Sequence, residues 1–72
     1  MTYQLTNEEK ISIINQHLKN LSLSRYSIEI GKMEAAAVLT PEQLAGTSYD
    51  SQLQEIDLKI SALTTELTEL SE

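Results

Sequence analysis

The sequence contains no cysteine, so neither a disulfide nor a thiolate metal site can hold it together. His17 is its single histidine, which leaves a histidine-based metal centre within one chain short of ligands. Phenylalanine and tryptophan are absent, and the aromatic side chains are Tyr3, Tyr26 and Tyr49. Proline occurs once, at Pro41, and glycine twice, at Gly31 and Gly46. An all-β domain needs many more turn residues at short intervals, so that class is set aside. The longest purely apolar run, residues 35–39, falls far below the ~20 residues of a membrane span. The opening residues lack a basic stretch followed by an apolar one, so no secretory signal is expected and the expected location is cytoplasmic.

Positive charge is also scarce. The formal net charge is −6, and it is unevenly placed. Up to residue 39, Glu8, Glu9, Glu29 and Glu34 are balanced by Lys10, Lys19, Arg25 and Lys32. Beyond it, Glu42, Asp50, Glu55, Asp57, Glu66, Glu69 and Glu72 face Lys59 alone. An acidic surface repels phosphate backbones and anionic headgroups, so neither a nucleic acid nor a membrane is an expected partner. A chain of 72 residues makes one domain, whose core rarely supplies more than ~3–5 kcal/mol. With disulfides and metal set aside, association with another helix is the remaining source of stability.

What the sequence does contain is helix. Thr6-Asn7-Glu8-Glu9 fits a capping box, in which the threonine hydroxyl and the glutamate carboxylate each satisfy the other's backbone N–H. A first helix is therefore expected over about 7–39. Its first apolar stripe runs Ile11, Ile14, Leu18, Leu21, Arg25 and Ile28, spaced alternately by three and four. A second set, Leu23, Tyr26, Ile30, Met33 and Ala37, lies well around the helix from the first. A helix apolar on two sides touches two neighbours. Pro41 disfavours helical geometry at Thr40 and ends this helix. Thr40-Pro41-Glu42-Gln43 is itself a capping box able to nucleate one turn, with Gly46 as its terminator. The connection is expected over about 40–47.

The second helix, expected over about 48–71, carries the clearest signal. Tyr49, Leu53, Ile56, Ile60, Leu63, Leu67 and Leu70 are spaced 4, 3, 4, 3, 4, 3, and this seven-residue repeat favours a coiled-coil-like seam. Thr47-Ser48-Tyr49-Asp50 offers its cap. The expected fold is all-α: an antiparallel two-helix hairpin that assembles into a four-helix bundle or a larger helical oligomer, with a dimer favoured. If the hairpin closes symmetrically around residues 40–47, the end of the second helix reaches only Asn15 to Leu18. Ile11, Ile13 and Ile14 would then overhang and require a second chain. The proposed interface residues are Ile11, Ile14, Leu18, Leu21, Tyr26, Ile30 and Met33 on the first helix, with Leu53, Ile56, Ile60, Leu63, Leu67 and Leu70 on the second.

No residue pattern points to chemistry. There is no Gly-rich phosphate loop, no persuasive Ser–His–Asp order and no carboxylate pair at working spacing, so no catalytic residue, cofactor or metal is expected. His17 reads as a polar residue flanking the seam, or as a group that converges with its copies around a symmetry axis. Arg25 reads as a snorkelling or seam-flanking arginine, or as a buried charge that pairs with a carboxylate of the second helix and fixes register. Gly31 reads as a tolerated glycine, a close helix–helix approach or a break. Tyr26 and Tyr49 are expected to pack with their hydroxyls wet. The acidic run reads as a solvated face, or as a surface that attracts a basic partner. Two functions follow from these features: a non-catalytic, self-associating structural protein, or an acidic helical module that captures a helical protein partner.

Met1-Thr2-Tyr3-Gln4-Leu5-Thr6-Asn7-Glu8-Glu9-Lys10-Ile11, the mid-chain Leu23-Ser24-Arg25-Tyr26 and the leucine-rich acidic ending resemble small proteins encoded by marine cyanobacterial phages. The resemblance runs over most of the chain through length, helix order and short stretches. It implies a viral origin and expression inside a bacterial host, and it carries no activity over to any residue.

Overall fold

A computed structural model describes residues 4–72. Tyr3 lies outside them. The chain is all-α, with α1 (Asn7–Val38), α2 (Pro41–Ala45) and α3 (Tyr49–Ser71), and no strand among the described residues.

The helix ends follow from local chemistry. At the start of α1 the Glu9 N–H donates to the Thr6 hydroxyl at 3.1 Å, and the Thr6 N–H donates to the Glu9 carboxylate at 3.0 Å. Leu39 is extended (φ −102°, ψ 152°), and so is Thr40, the conformation that Pro41 imposes on its predecessor. Thr40 and Gln43 repeat the reciprocal cap, at 3.2 and 3.0 Å, and give the single turn of α2. Gly46 closes α2 with an ordinary right-handed φ of −81°, its N–H donating to the Gln43 carbonyl. The glycine's access to left-handed backbone is not used. Thr47 then donates from both N–H and hydroxyl to the Leu44 carbonyl, at 3.0 and 2.7 Å. The cap expected for α3 does not form: the Ser48 hydroxyl makes no capping bond and accepts instead from the Gln52 side chain at 2.7 Å.

Side-chain pairs fix how α1 and α3 lie together. Arg25 donates to Asp57 and Lys32 to Asp50, pairs whose numbers sum to 82 in both cases. A constant sum is the mark of antiparallel neighbours. Among the described residues the two buried side chains are Ile14 and Ile56, at 9% and 8% exposure. The remaining seam positions are half-buried: Ile11, Leu18, Leu21 and Ile28 on α1, with Leu53, Ile60, Leu63, Leu67 and Leu70 on α3.

This register overturns the expected overhang of Ile11 and Ile14. Leu67 lies at the level of Ile14 and Leu70 at that of Ile11, so α3 reaches the first turns of α1. The physical reason is the connection. Asp50 starts α3 at the level of Lys32, more than a turn before α1 ends. The unpaired apolar end of α1 is therefore its last turns, where Met33 and Val38 are exposed. Of the isoleucines expected to overhang, Ile13 alone is exposed. The molecule is a flat rod of 55 × 22 × 15 Å. Its radius of gyration is 16.9 Å, against about 11 Å for a compact chain of this length.

Candidate functional site

Among the described residues there is no pocket and no cluster of His, Asp and Glu able to hold a metal ion. No helix is long and apolar enough to cross a membrane. Every buried side-chain polar atom there has a hydrogen-bond partner. What remains is surface.

The second apolar stripe of α1 is that surface. At 3.6 residues per turn its mean direction lies about 130° from the seam, on the far side of the helix. Leu23, Tyr26 and Met33 are 61%, 61% and 62% exposed. Ala37 is exposed and Ile30 is half-buried. From Leu23 to Ala37 the stripe runs about 21 Å. Lys19 continues it toward the N-terminus and Glu34 borders it near the C-terminus. Both are exposed, and neither makes an ion pair among the described residues. The outer face of α3 is different. Leu58 stands alone there, 65% exposed, among Ser51, Gln54, Ser61, Ala62 and Thr65. Several hydroxyls of α3 are turned into its own backbone: Thr64, Thr65, Thr68 and Ser71 each donate to the carbonyl four residues earlier, at 2.7–3.0 Å.

The seam carries the polar features. Arg25 Nε donates to Asp57 Oδ1 at 2.8 Å and Nη2 to Asp57 Oδ2 at 3.3 Å, a bidentate fork, while Nη1 pairs with Glu29 one turn along α1. Arg25 pairs with a carboxylate across the seam but is not the buried charge of the second reading: it flanks the seam at a half-exposed edge (35% for its side chain). That fork lowers the Asp57 carboxyl below its ordinary range and raises Arg25, in both cases chiefly through the hydrogen bond between them. Lys32 Nζ donates to Asp50 at 2.6 Å. Gly31 continues α1 without a break. A Cβ placed there would stand 3.3 Å from Cε1 of Tyr49, so the break reading fails and a side chain of α3 packs against this glycine. His17 is exposed beside the seam.

The sequence-proposed interface residues thus fall into two sets. Ile11, Ile14, Leu18 and Leu21 share the α1–α3 seam with Leu53, Ile56, Ile60, Leu63, Leu67 and Leu70. Tyr26, Ile30 and Met33 lie on the far side of α1. Sequence reasoning offered Arg25 a carboxylate of the second helix; in the structure that carboxylate is Asp57, and Lys32 takes Asp50.

The fold and this surface define an all-α chain whose distinguishing feature is an exposed apolar stripe and not a cavity. Comparison with protein-family models, curated proteins and solved structures finds no match.

Proposed function

We propose that this protein is a non-catalytic structural element: a helical hairpin with a coiled-coil-like seam that assembles with copies of itself. One observation carries the reading. Leu23, Tyr26 and Met33 stand in line on one helix face at more than 60% exposure, although the sequence places them as regularly as a core. Isolated exposed hydrophobes are common, but a contiguous stripe at helical spacing marks a contact. The hairpin also has a thin core of its own: among the described residues Ile14 and Ile56 are buried and the rest of the seam is half-buried. Resemblance to small phage proteins adds a viral setting in a bacterial host to this reading.

Association that stabilises the folded chain raises its melting temperature with concentration. Thermal unfolding followed by circular dichroism from micromolar to millimolar protein is therefore the test. A melting temperature that climbs across that range is expected. One that stays constant, with full helicity at the lowest concentration, removes the proposal.

A second reading rests on a different surface. Glu66, Glu69 and Glu72 are exposed at the end of α3, and such an end suits a basic helical partner. In that case the molecule is an adaptor or inhibitor, and its binding weakens steeply with salt while its own mass stays that of one chain.

A further inference from the structure

Resting on the self-association reading, we infer that two copies join through the outer stripes of α1, antiparallel about a two-fold axis, giving a row of four helices in the order α3–α1–α1–α3. The occupant of the stripe is a second copy of the same chain.

Three observations support this arrangement. The first is area. The chain exposes 5706 Å², where a compact protein of its mass exposes roughly 4,500 Å². The excess, about 1,200 Å², belongs to the whole rod and not to the stripe alone, and it leaves room for the ~800 Å² that each partner gives to a standard interface. The second is charge. Lys19 and Glu34 lie at opposite ends of the stripe without ion pairs of their own among the described residues. Parallel stripes set lysine on lysine and glutamate on glutamate. Antiparallel stripes, with Leu23 facing Met33 and Tyr26 facing Ile30 across the axis, bring Lys19 within one turn of Glu34 of the second copy, twice per dimer. A two-fold contact of this kind is closed and self-complementary. The third is direction. The stripe lies on the far side of α1 from the seam, so the α1 helices meet back to back and the α3 helices stay outside. A closed four-helix bundle needs the two faces of each helix closer to a right angle. The outer face of α3, with one leucine among small polar residues, offers no comparable surface.

Because the chain has no cysteine, single cysteines report proximity cleanly. Leu23→Cys and Met33→Cys replace exposed side chains, and Leu58→Cys serves as the control on α3; circular dichroism verifies that each variant keeps its helicity. Treated with a short bifunctional maleimide, a mixture of Leu23→Cys and Met33→Cys should cross-link efficiently, whereas Leu23→Cys alone and Leu58→Cys alone should not. Lys19→Glu and Glu34→Lys should each raise the dimer dissociation constant about three- to tenfold, and combining them in one chain should restore it. Efficient linkage of Leu23→Cys to itself indicates parallel stripes and overturns the arrangement. A dimer that cross-links only through Leu58→Cys, or that ignores both charge reversals, overturns it too while leaving self-association standing. A chain that stays monomeric at every concentration overturns both.

Discussion

Arg25 stands where the apolar repeat of α1 would place a hydrophobe, and the structure shows what it does there. Its fork on Asp57 ties α1 to α3 at one level and discriminates against a register slipped by a turn. The pair also gives the fold a pH dependence of fixed sign. Asp57 has a lowered pKa in the folded chain because Arg25 donates to it, so the unfolded chain takes up this proton more readily. The contribution is complete above the unfolded carboxylate value of about 4 and is lost as pH falls through the lower folded value. Urea midpoints measured from neutral pH down to about pH 2 should therefore fall more for the natural chain than for Asp57→Asn. Parallel curves would remove the Arg25–Asp57 fork from the account. Gly31 is the other informative residue. Alanine gains about 1 kcal/mol over glycine in a helix interior, but here the new methyl meets the Tyr49 ring at 3.3 Å. A double-mutant cycle separates the two effects. Gly31→Ala should stabilise by close to ~1 kcal/mol in a Tyr49→Ala background and by less in the natural one. Equal gains in both would contradict the close approach.

At the scale of elements, helix bounds were the most legible part of the sequence. Thr6 with Glu9 and Thr40 with Gln43 encode their caps in four residues each, and Pro41 encodes the stop. The start of α3 was less legible, because Ser48 looks like a cap and accepts from the Gln52 side chain instead. Register could not be read at all. It depends on where the connection returns the chain, with Asp50 at the level of Lys32, a tertiary event that leaves no periodic trace, and this is why Ile14 is buried where an overhang was expected. α3 also ends unfavourably. Glu66, Glu69 and Glu72 crowd its C-terminus and no basic residue lies in its last turn, against the preference of the helix dipole for cations there. Glu69→Lys should stabilise the chain by about 0.3–1 kcal/mol in low salt, with the gain shrinking as salt is added. Denaturant melts at two ionic strengths measure this, and a loss of stability or a salt-independent gain would count against it.

For the whole molecule, the seam and the stripe have separate roles and should respond separately to mutation. Leu63 is half-buried in the seam, and Leu63→Asp sets a charge among leucines at a cost of at least about 2 kcal/mol, a large share of what so small a domain possesses. It should abolish helicity by circular dichroism. Tyr26→Glu, on the far side of α1, should leave the helices in place at concentrations where they stand alone and should abolish association. The sequence pattern made both faces visible as two sets of apolar residues on the first helix. It did not reveal which set α3 would take. The Tyr49–Leu70 repeat of α3 runs along the Ile11–Ile28 stripe and on to Gly31, which Tyr49 meets, whereas the second set begins only at Leu23.

The central claim is that one chain covers one side of α1 and leaves the other for a second copy. Mass in solution by light scattering tests it without assumptions about shape. A mass of twice the 8.1 kDa chain, falling to that of the single chain for Tyr26→Glu with helicity retained, is the result predicted. A fully helical particle of 8.1 kDa at millimolar concentration would contradict it.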